Sequence, residues 1–108
     1  MIVCDVSFIS LTKISHKISE VLNKDCQGII LVKPQFECGK EVAKKFKGVI
    51  KDSNIHKKVI QSVKNDFETK GICVISIAES VIKGNDGNTE FLFFIKKYTW
   101  KVYIFFIG

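Results

Sequence analysis

Two short, wholly apolar runs, residues 1–4 (Met-Ile-Val-Cys) and 28–32 (Gly-Ile-Ile-Leu-Val), each stop abruptly at a charged residue, Asp5 and Lys33. A strand buried on both faces reads as a continuous apolar run, whereas a strand with one wet face alternates, so these runs predict parallel strands inside a sheet. Parallel strands cannot be joined by a hairpin and need a long crossover. Residues 11–22 supply it, with Leu11, Ile14, Ile18, Val21 and Leu22 on one helical face and Ser10 placed to cap the start. Residues 25–28 read as the turn that follows. Pro34 ends the second run, because proline cannot donate to a central ladder.

The cycle then repeats. Residues 35–51, lysine-rich and holding Gly39 and Gly48, lack clean periodicity and predict a loop with a short helical turn. Asp52 or Ser53 can cap a helix over 54–69, with Ile55, Val59, Ile60, Val63 and Phe67 on one face and Gly71 as its stop. A third apolar run covers 72–77. The Lys-Gly-Asn-Asp-Gly-Asn stretch at 83–88 is a strong turn signal, and 90–96 reads as a final strand. Right-handed crossovers make the first strands parallel, and the short last connection makes the final strand antiparallel. Ligand sites in such α/β sheets lie at the carboxyl ends of the parallel strands, and an antiparallel strand starts at that same edge. Asp5, Lys33 and Glu90 are therefore expected to meet there, with Glu37 and Lys83 close by. His16 and His56 fall on the predicted helices and are expected at the surface, away from that edge.

Composition narrows the function classes. With 46% hydrophobic and 26% charged residues, a packed core is the expectation. The formal charge is +6, and lysine supplies all 17 basic residues. Such a balance suits an anionic partner, RNA or a membrane surface, gripped by point charges without the bidentate fork of arginine. Cys4, Cys26, Cys38 and Cys73 show no Cys-x-x-Cys spacing and no zinc-like pairing with the histidines, which predicts reduced, mostly buried thiols and no metal site. The longest apolar runs, 91–95 and 102–107, are far shorter than a membrane span of about 18 residues or more, and no secretory leader pattern opens the chain. A cytoplasmic protein without stable membrane insertion is expected.

Three blocks carry a family resemblance: Asp5-Val6-Ser7-Phe8-Ile9-Ser10-Leu11; Val32-Lys33-Pro34-Gln35-Phe36-Glu37 with Gly39; and Lys83-Gly84 followed by Gly87-Asn88-Thr89-Glu90-Phe91-Leu92. In order and spacing, over residues 2–97, they resemble the FtsJ-like RNA 2′-O-methyltransferases of the TlyA (haemolysin A) type. The resemblance implies an α/β fold, the C-terminal half of a Rossmann-like class I methyltransferase sheet with parallel strands and a final antiparallel strand. Residues 1–97 would form a partial methyltransferase domain and 98–108 an unassigned tail. FtsJ-like enzymes carry a Lys-Asp-Lys-Glu tetrad, and the resemblance lays its last three members on Asp5, Lys33 and Glu90. Lys33 would be the base or the group that positions the hydroxyl, and the two carboxylates would orient it.

S-adenosylmethionine is the implied cofactor, with Asp5 as a candidate contact. The glycine-rich cofactor loop, the first tetrad lysine and the ribose-binding acid of the family fall upstream of the first block. The expected partners are rRNA or a ribosomal subunit, together with a separately encoded N-terminal half. Two other classes compete, a haemolysin-like membrane-active protein and a non-catalytic RNA-binding module. Against the first, no segment has the strong amphipathic character of an interfacial helix. Against the second, no RNP-type aromatic motif is visible.

Overall fold

The computed structural model describes residues 2–5, 10–22 and 27–97. The expected loop at 6–8, the first half of the turn expected at 25–28, Cys26 and the tail lie outside the described residues, whereas Gln27 and Gly28, expected in that turn, already belong to a strand. Four strands form one sheet: β1 (Ile2–Cys4), β2 (Gln27–Val32), β3 (Ile72–Glu79) and β4 (Phe91–Lys97). The spatial order is β1-β2-β4-β3. β1 and β2 are parallel, and β4 is antiparallel to both β2 and β3. Three strands thus share one direction and the last runs against them, the mixed α/β sheet that the sequence predicts. The insertion of β4 between β2 and β3 is new information, since sequence order gives strand direction but not spatial neighbours.

The register explains the core. Ile30 pairs with Phe93, Val32 with Phe91 and Gly28 with Ile95, so Ile30, Val32, Phe91, Phe93 and Ile95 share one face of the sheet. Against that face lies α4 (Ser53–Thr69), whose Val59, Val63 and Phe67 recur every four residues and are buried. Phe67 meets Phe93 edge to face with ring centroids 6.2 Å apart, a geometry favoured by the ring quadrupoles. Each such side chain contributes about 1.5–3 kcal/mol by leaving water. Asp52 caps the helix by accepting the Asn54 amide at 2.8 Å, and Lys70 ends it just before Gly71.

α1 (Ser15–Val21) adds Ile18 to the same core, with Leu22 just beyond it. It is fastened at its far end by the Ser19 hydroxyl donating to the Lys70 carbonyl at 2.6 Å, and by the Lys97 ammonium donating to the Ser19 carbonyl at 2.8 Å.

Two expectations on local structure are corrected. The helix expected over 11–22 is divided into a 3-10 turn (Leu11–Lys13), capped by Ser10, and α1, with Ile14 at φ −118° between them. The Ser15 hydroxyl donates to the Thr12 carbonyl at 3.3 Å, a side-chain competitor for helical hydrogen bonding at the point of the break. The loop expected over 35–51 contains two short helices, α2 (Pro34–Glu37) and α3 (Lys40–Lys45). Pro34 occupies the first turn of α2, where its missing N–H costs nothing, and Gly39 at φ +91° turns the chain into α3 in a conformation other residues rarely adopt. The thiols of Cys4, Cys38 and Cys73 are partly rather than mostly buried. Cys4 is raised above the ordinary thiol value by burial and then by the Asp5 charge, which keeps it from reacting as a thiolate. Among the described residues no helix is long and apolar enough to cross a membrane.

Candidate functional site

Asp5 follows β1, Lys33 follows β2, and Glu90 immediately precedes β4. Val32 pairs with Phe91 as the last rung of the ladder, so Lys33 and Glu90 each stand one residue beyond it at the same end of the sheet. The Lys33 ammonium forms an ion pair with Asp5 Oδ1 at 2.5 Å. The lysine side chain is 12% exposed and the aspartate 57%, so the amine is drawn into the sheet edge while its counter-charge stays in contact with water. The three residues that the sequence places at this edge stand there in the structure.

Glu90 is only 6% exposed. A buried carboxylate needs hydrogen-bond donors, and the carboxamide Nε2 of buried Gln35 donates to Glu90 Oε2 at 3.1 Å. Gly84 also packs against it, where a Cβ would fall 2.0 Å from Glu90 Oε2 and 2.6 Å from Cδ. Glycine is required here for space. The turn that carries Gly84 is closed by backbone hydrogen bonds from the Gly84 amide to the Asn88 carbonyl at 2.8 Å and from the Ser80 amide to the Glu90 carbonyl at 2.8 Å.

Asn88 ties this turn to the segment after α3. Its Oδ1 accepts the Ile50 amide at 2.8 Å and its Nδ2 donates to the Gly48 carbonyl at 2.7 Å, with the side chain fully buried. His56 holds the same segment from α4, its Nε2 donating to the Ile50 carbonyl at 2.8 Å and its ring standing edge-on to Phe91 at 5.5 Å. His56 is therefore half-buried beside the edge, which corrects its expected surface position, whereas His16 is exposed as expected. The first turn of α4 necessarily lies at this edge, because the helix begins there to cross back over the sheet.

The two outlying candidates have other work. Glu37 accepts the Ser10 hydroxyl and the Leu11 amide, both at 2.6 Å, and so caps the first turn after the 6–9 segment. Burial pushes its carboxyl above the ordinary carboxylate range; those two hydrogen bonds pull it down, and Asp66 pushes it further up. Lys83 is exposed and reaches Thr89 Oγ1 at 3.2 Å and Glu79 Oε2 at 3.9 Å, a surface arrangement worth about 0–1 kcal/mol. A cleft of about 660 Å³ opens beside Gln35 and Asn88, with Ser10, Phe36, Lys13 and Lys40 also on its walls. Two lysines, two carboxylates (Glu37 and Asp86) and the Phe36 ring line it, and a space of this size with mixed polar and aromatic walls suits a polar ligand of nucleotide dimensions.

Sequence reasoning gave no role to Gln35, Gly84 or Asn88, although all three lie inside the resembling blocks. The FtsJ-like methyltransferase family profile matches residues 1–97. The chain belongs to the FtsJ-like methyltransferase family. It is 39% identical over 101 residues to the 23S rRNA (cytidine-2′-O)-methyltransferase TlyA of Campylobacter jejuni, covering 90% of this chain and 38% of that protein. It is 37% identical over 92 residues to hemolysin A of Brachyspira hyodysenteriae, covering 85% of this chain and 38% of that one. The solved structure of a hemolysin-like protein from Streptococcus thermophilus superposes with a TM-score of 0.82 at 38% identity, over 89% of this chain and 34% of its own. The likeness extends through most of this chain, which spans little more than a third of the relatives' length.

Proposed function

We propose that the chain supplies the hydroxyl-binding half of an S-adenosylmethionine-dependent rRNA ribose 2′-O-methyltransferase, corresponding to the C-terminal half of the family's catalytic domain. The observation that carries this reading is the Lys33–Asp5 ion pair at the same carboxyl edge of the sheet as the buried Glu90, in a family whose Campylobacter jejuni member is named for cytidine 2′-O-methylation. A ribose hydroxyl is a poor nucleophile. It gains reactivity when a positioned group fixes its oxygen and accepts its proton.

Lys33 is the residue placed to contact that hydroxyl. Asp5 holds the amine by charge, and Glu90 stands at the same edge, at the start of the neighbouring strand. S-adenosylmethionine, when bound, would supply an electrophilic methyl on a sulfonium sulfur. With Lys33 held as an ammonium by Asp5, it orients the hydroxyl oxygen, and the hydroxyl proton passes to a carboxylate at this edge. The residues present fit the hydroxyl side of this reaction most fully. On the donor side, the half-exposed Asp5 carboxylate fits a cationic group. Lys13 and Lys40 share the wall of the adjacent cleft with Glu37 and Asp86, and offer point charges to phosphates of the RNA strand there.

The test replaces the matched segment of the Campylobacter jejuni relative with this chain and measures methyl transfer to rRNA. Lys33→Ala is expected to lower single-turnover transfer by about 10²-fold or more, the usual scale for a positioned acid–base group, while S-adenosylmethionine binding is retained. A Lys33→Ala protein with the parent rate would overturn the assignment.

A further inference from the structure

Gln35 sits two residues beyond Lys33, is 7% exposed, and its carboxamide uses its nitrogen but not its oxygen. A carboxylate offers lone pairs and no N–H, so the carboxamide must turn its Nε2 toward Glu90, and its Oε1 therefore points the other way. That oxygen is buried and has no hydrogen-bond partner among the described residues. Leaving such an acceptor unpaired costs its full desolvation, a cost that a ligand donor would remove. Gln35 also lines the 660 Å³ cleft.

Resting on the function proposed above, we infer that Gln35 is a positioning residue of the methyltransferase site: its N–H holds the Glu90 carboxylate in place, and its Oε1 accepts an O–H or N–H donor of the nucleotide in the cleft. The geometry leaves Glu90 little alternative. Gly84 approaches its Oε2 at a distance that excludes even a methyl group, and Gln35 donates to the same oxygen. Gln35 thereby couples recognition to positioning, since one planar amide touches both the carboxylate and the ligand.

Two substitutions separate this role from a merely structural one, measured in the Campylobacter jejuni relative carrying the full chain in place of its matched segment. Gln35→Met keeps length and burial but has neither donor nor acceptor. It is expected to lower kcat by about tenfold or more, the equivalent of one hydrogen bond to a charged group, and to raise KM for rRNA while leaving that for S-adenosylmethionine unchanged. Gln35→Glu keeps the acceptor but faces a carboxylate with a carboxylate. Two such groups share one proton, which restores the missing donor as pH falls. Its activity is therefore expected to recover on the acid side relative to the parent, and that of Gln35→Met is not.

Parent-like kcat in both variants, or a Gln35→Glu pH profile parallel to that of the parent, overturns the inference. Lys33→Ala run alongside distinguishes the two levels: if it is fully active, the proposed function is at fault rather than Gln35. Independently of catalysis, the side-chain amide pair of Gln35 is followed by NMR in the labelled full chain as a cytidine-containing RNA oligonucleotide is added. A saturable shift of that pair is expected, and no movement at any concentration overturns the inference.

Discussion

Replacing Gly84 with alanine tests the packing of the site more sharply than removing any charged residue. A Cβ at this position would lie 2.0 Å from Glu90 Oε2, 2.6 Å from Cδ and 3.2 Å from Cγ, so the oxygen must retreat by about 1.5 Å to reach an ordinary contact. Gly84 does not occupy the left-handed region, so alanine meets no backbone penalty there. The whole cost falls on the Glu90 side chain, which gives way and loses its hydrogen bond from Gln35. Overpacking costs about 1–3 kcal/mol, and the lost hydrogen bond to a charged group about 1.5–3 kcal/mol. A stiffer unfolded chain returns about 0.4–1 kcal/mol. The net expectation for Gly84→Ala is a loss of about 2–4 kcal/mol, read as a lower urea midpoint at unchanged slope. In a Glu90→Ala background the obstructed atoms are absent, so the same substitution should be neutral or slightly stabilising. Full additivity of the two substitutions would refute the reasoning, because it would mean that Gly84 acts through something other than the carboxylate.

Asn88→Ala removes both hydrogen bonds that fasten the 83–88 turn to Gly48 and Ile50, and should cost about 2–4 kcal/mol in urea unfolding through the buried amide and carbonyl it leaves unpaired. Glu37 makes a prediction with a definite sign. Its carboxyl is raised in the folded chain, so the folded state holds its proton to higher pH than the unfolded state does. The resulting stability is present in full below the ordinary value of 4.5 and is lost as pH rises through the folded value. Glu37→Gln should flatten the stability–pH curve over that window, and an unchanged curve in thermal unfolding would contradict it.

How much of this was legible in the sequence depends on which kind of fact is asked for. The placement of Asp5, Lys33 and Glu90 at one edge could be read because each ends or begins an apolar run, and strand direction then fixes the edge on which it stands. The position of β4 between β2 and β3 could not be read, since a short turn at 83–88 makes a neighbour of β3 without saying what lies on the far side of β4. The break at Ile14 was hidden for a different reason: periodicity reports which face is apolar, and the 3-10 turn and α1 keep Leu11 and Ile18 on the core face despite the interruption.

The supporting residues were hidden because each already had a sufficient local explanation. A glycine and an asparagine in a Lys-Gly-Asn-Asp-Gly-Asn stretch look like ordinary turn formers, yet Gly84 is there for the space that Glu90 occupies, and Asn88 for two backbone groups some forty residues away. Gln35, after a proline, looks like the start of a loop, yet its amide reaches a carboxylate 55 positions on. These are contacts of side-chain geometry across the fold, and neither period nor propensity encodes them. Their common effect is to hold Glu90 in a fixed, buried pose before any ligand arrives. In the reaction proposed for this site, a carboxylate free to rotate in water would have to be ordered and desolvated as methyl transfer proceeds. One already enclosed by Gly84 and held by Gln35 has met that cost on folding, which is the physical basis of preorganised catalysis.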